Sequence, residues 1–107
     1  MALTDKCEYA VGDIVYIRSD LRQTGKYYDE NGSHMPITRE MIRDFAGSVC
    51  TIREIYIQGG VICYLLEEDN SKKNLGKGWY FVHDMIEGHV AHGPEISNDN
   101  LMAMLSM

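Results

Sequence analysis

The sequence predicts a single, mainly β domain that folds as a small barrel or a strongly curved sheet. β-Branched and aromatic residues, which favour strands, are concentrated in short runs at residues 14–18, 49–57, 61–67 and 79–82. Polar or glycine-containing turns separate these runs, and a length of 107 residues suits one domain with one core. Short strands that follow one another at close spacing are typical of small antiparallel barrels.

The first predicted strand follows a lead-in of residues 1–10 and a turn at residues 11–13. After the strand comes a long polar connection over residues 19–36, rich in turn-forming glycine, asparagine and proline. A loop of this length is usually either functional or flexible. Its adjacent Tyr27 and Tyr28 require packing partners, because large aromatic side chains are seldom left in solvent as a pair.

A short helix is predicted to follow this connection. Thr38 is a suitable N-cap, and Gly47 is placed to end the helix in a left-handed C-cap. Ile37, Met41 and Phe45 repeat every four positions and share one face. We expect that face to cover one end of the sheet.

The clearest secondary-structure prediction is a hairpin formed by residues 49–57 and 61–67. Gly59-Gly60 lies between the two runs and permits the positive φ that a tight hairpin turn requires. A polar turn over residues 70–78 returns the chain to the last strand run. Residues 83–87 are expected to form one helical turn.

The chain is divided by this pattern into the lead-in, a barrel domain of residues 11–92 and a methionine-rich tail of residues 93–107. Gly93-Pro94 marks the break between domain and tail. Leu101 and Leu105 would share one face of a helix in the tail. That helix is predicted to pack on the open edge of the barrel or to form a homodimer contact.

Composition and charge oppose several classes of protein. No apolar run approaches the about 18 residues of a membrane span, and the N-terminus has no long apolar stretch, so we expect neither a membrane partner nor a secretory signal. Cys7, Cys50 and Cys63 form no CxxC motif and cannot all pair, which favours a reducing cytoplasm. The formal net charge of −6 opposes non-specific binding to a nucleic-acid backbone.

Four segments carry a family resemblance. They are VGDIVYIRSDL (11–21), FAGSVCTIREI (45–55), YLLEED (64–69) and WYFVHDMIE (79–87). Together and in this order they resemble a group of small phage and Firmicutes proteins with SH3-like β-barrels. The resemblance covers roughly residues 11–87 and implies a mainly β, small SH3-like barrel with one short helix in a long loop. The predicted C-terminal helical tail lies outside the pattern. A phage-encoded member would be located in the bacterial host cytoplasm. Most such proteins lack an assigned activity, so the resemblance implies a fold rather than a function.

The predicted core combines residues from every expected element. Its members are Val15, Ile17, Ile42, Phe45, Ile52, Ile55, Val61, Tyr64, Leu66, Trp79, Phe81 and Met85. Burying side chains of this size stabilises a fold by roughly 1.5–3 kcal/mol each before chain entropy is counted.

The absence of a catalytic motif in the sequence leads us to expect a non-enzymatic protein-binding module. Charge and resemblance together indicate an inhibitor of the anti-CRISPR type, from a phage or mobile element, that presents an acidic surface to a basic host nuclease. The predicted contact residues are Tyr27, Tyr28, Asp29, Glu30, Glu67, Glu68, Asp69, Lys72 and Lys73. Whether the acidic or the basic members meet the partner stays open at this point, as does the oligomeric state.

Two other functions remain as alternatives. The first is a small barrel that binds nucleic acid through lysines and aromatic rings, namely Lys72, Lys73, Lys77, Trp79, Tyr27 and Tyr28. The second is an enzyme that uses Cys50 beside a base such as His83, or a metal held by His83, His89 and His92. The H-x5-H-x2-H spacing matches no established zinc motif, so we expect neither a metal nor another cofactor.

Overall fold

The computed structural model describes residues 7–91, and these residues form a mainly β structure. The strands are β1 (Ile14–Ile17), β2 (Tyr27–Tyr28), β3 (His34–Met35), β4 (Val49–Gln58), β5 (Val61–Leu66) and β6 (Ile86–Ala91). The helix α1 spans Arg39–Phe45, α2 is a single four-residue turn at Lys73–Gly76, and His83–Met85 form a 3-10 turn. The predicted mainly β character is therefore confirmed.

The main sheet is antiparallel, with strand order β5-β4-β1-β6. Within residues 7–91, β5 and β6 are the two edges and do not pair with each other, so no closed barrel is observed. The predicted hairpin is present: Ile57 lies opposite Ile62, and Gly59 and Gly60 take φ of 57° and 83°. These positive angles match the requirement of a tight turn.

The edges of this sheet must curl toward each other. Phe81 pairs with the outer side of β5, exchanging backbone hydrogen bonds of 2.6 and 3.1 Å with Tyr64. Five residues later, Ile86 pairs with Ile17 of β1 at the opposite edge. In a flat sheet these positions would lie about four strand spacings apart, roughly 19 Å, whereas five residues span at most about 18 Å. The sheet is therefore strongly curved.

Helix α1 forms as its sequence predicts. The Thr38 hydroxyl accepts a hydrogen bond from the Met41 backbone N–H at 3.3 Å, and Gly47 follows the helix with φ of 78°. Met41 and Phe45 are buried, and the Phe45 ring meets Phe81 edge-on at 5.3 Å between ring centres. The helix therefore packs against the chain segment that bridges to β5.

Most of the predicted core is buried. Val15, Ile17, Phe45, Ile52, Tyr64, Leu66, Phe81 and Met85 are all buried, whereas Ile42, Ile55, Val61 and Trp79 are partly buried and pack against them. The prediction missed Tyr9, Leu21, Tyr27, Ile37, Met41, Cys50, Ile62, Cys63, Val82 and Ile86. Several of these lie in loops, where no strand or helix period indicates which side chain points inward.

Three elements differ from their prediction. The expected strand at residues 79–82 is reduced to the single bridge at Phe81, because the Trp79 backbone N–H is bound by a carboxylate instead of a strand. The expected helical turn at residues 83–87 is only the 3-10 turn, after which β6 begins; its interior glycine and two register shifts hide its strand pattern. The two-residue strands β2 and β3 are too short to produce any period.

Two of the predicted segments and one predicted site residue lie partly or wholly outside the described residues. The predicted tail (93–107), His92 and most of the lead-in are among them. The helices within residues 7–91 are all too short or too polar to cross a lipid bilayer.

Candidate contact surface

Two loops carry the predicted contact residues. We call residues 19–36, between β1 and α1, the first loop, and residues 67–80, between β5 and the Phe81 bridge, the second loop. Each contains one of the two acidic clusters found in the sequence. The structure divides the members of both clusters between the interior and the surface.

Asp29 in the first loop is turned inward. It is 5% exposed, and its Oδ1 accepts hydrogen bonds from the backbone N–H groups of Asn31 and Ser33 at 3.0 and 2.8 Å. Its Oδ2 accepts from the backbone N–H of Ile62 in β5 at 2.7 Å. The carboxylate therefore closes its own turn and ties that turn to the sheet, which removes Asp29 from the contact surface.

Asp69 plays the same part in the second loop. It is 6% exposed, and its two oxygens accept from the backbone N–H groups of Ser71 at 2.9 Å and Trp79 at 2.5 Å. Gly78 passes directly over it with φ of 99°, and a Cβ there would lie 2.7 Å from Asp69 Oδ2. The base of the second loop is closed by this carboxylate, so Asp69 also leaves the contact surface.

Glu30 belongs to a polar network that the sequence did not indicate. Its Oε2 accepts hydrogen bonds from the Tyr64 hydroxyl and, at 2.9 Å, from the Glu8 backbone N–H. The Glu8 side chain in turn meets His83 Nε2 at 2.6 Å. Tyr9 packs in the middle, with ring centres 5.4 Å from Tyr64 and 5.7 Å from His83. The network attaches the chain before β1 to the sheet.

Burial and neighbouring carboxylates shift the pKa values of the two tyrosines in this network. Burial, aided by the charges of Glu8 and Glu30, raises the pKa of Tyr9 to about 12. The pKa of Tyr64 is also raised, first by burial and then by its hydrogen bond to Glu30. Both phenols stay neutral at physiological pH, and Tyr64 acts as a hydrogen-bond donor to Glu30.

The two adjacent tyrosines of the first loop separate. Tyr27 is buried, and its hydroxyl accepts a hydrogen bond from the Arg22 backbone N–H at 2.8 Å. Tyr28 is exposed and meets His34 edge-on at 6.0 Å between ring centres. They do not form one aromatic surface, and only Tyr28 remains available to a partner.

The four remaining predicted contact residues are exposed in the second loop: Glu67, Glu68, Lys72 and Lys73. Glu68 is engaged as well, since its Oε1 accepts from the Thr51 backbone N–H at 2.8 Å. The Lys73 ammonium lies over the Trp79 ring, 5.5 Å from its centre. A cation held over an aromatic face in this way is favourable by roughly 0.5–1 kcal/mol at an exposed site.

A second group that combines a cation with aromatic rings was not predicted from the sequence. The rings of Tyr56 and Tyr80 stack with centres 5.6 Å apart and planes inclined by 27°, and Lys77 Nζ lies 4.7 Å from the centre of Tyr56. Tyr56 lies in β4 and Tyr80 at the end of the second loop, so their distance in the chain conceals the pair. We call Tyr56, Tyr80 and Lys77 the aromatic platform; Lys73 and Trp79 form a separate pair.

The tip of the second loop is conformationally strained. Lys72, Asn74 and Leu75 have φ of 58°, 53° and 59°, in the left-handed region that costs an ordinary residue roughly 1–2 kcal/mol. Asparagine tolerates this region, but lysine and leucine do not favour it. Leu75 is also fully exposed. The tip therefore holds an apolar side chain in solvent on an unfavourable backbone.

Of the groups proposed for catalysis, the two cysteines face inward, whereas the side chains of His83 and His89 are partly exposed. Cys50 and Cys63 are buried, and burial raises their thiol pKa values to about 11 and about 12, which disfavours the reactive thiolate. His89 Nε2 lies 2.8 Å from the buried Asp13. Among residues 7–91 there is no group of three His, Cys, Asp or Glu side chains that could hold a metal ion.

Comparison with known proteins found no matching family model, no matching curated protein and no matching solved structure. The chemistry of the surface therefore has to be inferred from the residues of this chain alone.

Proposed function

We propose that this chain is a non-enzymatic protein-binding module whose contact surface is the exposed side of the second loop. The observation that carries the proposal is Leu75, an apolar side chain held fully in solvent by a strained backbone. Strain of this kind persists where the surrounding structure enforces it, and it is concentrated at functional sites. A protein partner would cover Leu75 and remove it from water.

Charged residues of both signs lie near this apolar tip in the chain. Glu67 and Glu68 precede it, and Lys72 and Lys73 begin it. An apolar centre with a polar rim is the usual composition of a protein–protein interface. The basic-nuclease version of the proposal depends on Glu67 and Glu68, because Asp29 and Asp69 are buried and Glu30 is bound within the fold.

We extend the proposal to the fold, as an open SH3-like barrel. It is supported by the curvature of the main sheet and by the 3-10 turn between the Phe81 bridge and β6. The long first loop and the helix α1 both lie in the connection from β1 to β4. A closed hydrogen-bonded barrel is not required for this arrangement.

Capture of partners from a bacterial lysate on the immobilised protein tests the function. Leu75→Ser keeps a side chain at the strained position but removes its apolar surface, and we expect it to lose the captured partner. Val90→Ser is the matched control, because Val90 is a half-exposed apolar residue on β6. The proposal is wrong if no captured protein depends on Leu75.

The acidic version is tested on the same partner with Glu67→Gln combined with Glu68→Gln. If a basic nuclease is bound, this variant should weaken capture about tenfold or more, and added salt should weaken capture by the wild type. Lys72→Gln combined with Lys73→Gln changes the opposite charges of the same loop. Loss of capture by the lysine variant alone would contradict the acidic version and identify an acidic partner.

A second candidate function, nucleic-acid binding, is favoured by the aromatic platform. Stacked rings beside lysines are the combination that binds single strands, at roughly 1–3 kcal/mol per stacked base. Fluorescence anisotropy with labelled single- and double-stranded oligonucleotides at low salt tests it, with Tyr80→Ala as the variant and Tyr28→Ala as the control on the other loop. Absence of binding by the wild type at low salt would eliminate this function.

A further inference from the structure

A cavity of about 620 Å³ lies at the first loop, away from the residues of the proposed contact surface. Its lining includes three cationic side chains, Arg18, Arg22 and Lys26, and two carboxylates, Asp20 and Asp84. The volume falls within the roughly 300–1,000 Å³ typical of small-molecule sites. The lining is polar and charged, which favours an ionic ligand over an apolar one.

Both carboxylates of the cavity are already engaged within the fold. Asp20 binds the guanidinium of Arg18 with both oxygens, each at 2.9 Å. Asp84 accepts the Tyr28 backbone N–H at 3.1 Å and lies 3.3 Å from His83 Nδ1. Their negative charges are therefore partly compensated before any ligand enters.

Two cations of the cavity are not engaged in this way. Arg22 and Lys26 are exposed, and neither side chain forms a hydrogen bond or an ion pair with another residue in the range 7–91. The pKa of the Asp20 carboxyl is lowered mainly by its hydrogen bond to Arg18, and the charge of Arg22 adds only the smallest contribution. A guanidinium and an ammonium that line one cavity can together supply more hydrogen-bond donors than one carboxylate can accept.

The backbone that carries these two cations is held in place. The Arg22 backbone N–H donates to the buried Tyr27 hydroxyl at 2.8 Å, and the Gly25 N–H donates to the Arg22 carbonyl at 2.9 Å. Gly25 lies so close to the Tyr27 ring that a Cβ there would be 2.6 Å from the hydroxyl oxygen. The turn from Arg22 to Lys26 is therefore built on a packed aromatic ring, which pre-organises the donors.

We propose that this cavity binds the phosphate group of a small phosphate monoester. Arg22 would contact two phosphate oxygens side by side, and Lys26 would provide a second positive charge. The Thr24 hydroxyl, which also lines the cavity, can donate to the remaining oxygen. Two unpaired cations match a phosphate dianion better than a singly charged carboxylate. The cavity is larger than a phosphate ion alone requires, so it also has room for the group that carries the phosphate.

Isothermal titration at low ionic strength with inorganic phosphate and with a nucleoside monophosphate tests this site. We expect both probes to bind the wild type, and the monophosphate to bind more tightly because it fills the cavity. Arg22→Gln combined with Lys26→Gln should weaken binding about tenfold or more, since both charge-assisted contacts to the phosphate would be lost. Both residues are exposed, and thermal unfolding of the variant verifies that the fold is intact.

The matched control is Arg39→Gln combined with Arg43→Gln, which removes the same charge from exposed positions of α1. We expect this control to bind both probes as the wild type does. An equal loss in the two double variants would show general electrostatic attraction and overturn the site, as would failure of both probes to bind the wild type. The partner capture described above does not involve the cavity, so the two proposals succeed or fail separately.

Discussion

The two long loops of this protein are ordered by the same kind of interaction but differ in how they are attached to the sheet. In each loop a buried aspartate accepts backbone N–H groups: Asp29 in the first loop and Asp69 in the second. In each loop a glycine lies in close contact with a buried side chain of the same loop: Gly25 with Tyr27, and Gly78 with Asp69. A polar connection can be ordered in this way without a strand or helix of its own.

The difference between the loops is the range of the aspartate's hydrogen bonds. Asp29 reaches Ile62 in β5, 33 residues away, and thereby attaches the first loop to the sheet. The Asp69 carboxylate accepts from Ser71 and Trp79, both within the second loop, and leaves the tip between them projecting. The first loop is therefore attached to the sheet through Asp29. The second loop is attached through other groups, because Arg53 of β4 donates to the Lys77 carbonyl and Tyr56 of β4 stacks on Tyr80, and only its tip around Leu75 projects. This difference indicates which loop is free to meet a partner.

The largest predicted effect on stability is that of removing the Asp29 carboxylate. We expect Asp29→Ala to lower the free energy of unfolding by about 3–4 kcal/mol, because three backbone donors lose a charged acceptor. Asp69→Ala removes two such bonds, one of them at an exposed residue, and should lower it by about half as much. Urea unfolding followed by tryptophan fluorescence measures both.

Glu67→Ala is the control for both variants, since an exposed acid without a structural hydrogen bond should change stability by less than about 0.5 kcal/mol. Hydrogen exchange adds a spatial test. Asp69→Ala should raise exchange mainly in the second loop, whereas Asp29→Ala should raise it in β5 as well. Equal losses of stability in the two aspartate variants would mean that both loops are integral to the fold.

A smaller effect, of opposite sign, is expected at the projecting tip. Leu75→Gly should raise the free energy of unfolding by about 1 kcal/mol, because glycine adopts positive φ without the steric cost that leucine bears. Little is lost in return, since the fully exposed leucine side chain contributes no buried surface. Thermal unfolding measures the gain, and Leu75→Ala, which keeps the strained angle, should not show it. A destabilised Leu75→Gly variant would show that the tip is not strained.

The smallest predicted effect is a dependence of stability on pH. It distinguishes the two loops, because only the first loop is connected, through Glu30, to the network that contains a titrating histidine. Burial lowers the pKa of His83, but hydrogen bonds to Glu8 and Asp84 outweigh burial and leave it above its usual value near 6.5. The charged histidine therefore stabilises the fold below pH of about 6.5, and this contribution is lost as pH rises through the raised pKa. We expect less than about 1 kcal/mol, as for other partly exposed ion pairs.

Unfolding free energies measured across neutral pH test this expectation. His83→Gln should flatten the decline in stability on the alkaline side. His34→Gln is the matched control, since His34 is exposed and lies in the same loop as the network's Glu30. If wild type and His83→Gln decline equally, the network does not depend on the histidine charge.

The sequence predicted those features that depend on near neighbours in the chain. The β4–β5 hairpin and the helix α1 were expected from a Gly-Gly turn, a threonine cap and a four-residue apolar repeat, and all are present. It could not predict β6, because its interior glycine and irregular register weaken the alternation. It also missed the Tyr56–Tyr80 stack, whose members lie in different elements.

The acidic clusters show most clearly what the sequence could not predict, namely which carboxylates are buried. Asp29 and Glu68 are equivalent in the sequence, since each is an acid in a polar segment next to another acid. Only the tertiary structure buries one and exposes the other. A carboxylate enters the interior when enough donors meet it there, and the donor that decides for Asp29 comes from a distant strand. Local pattern sets turns, caps and strand faces, whereas the placement of a charge depends on groups that only folding brings together.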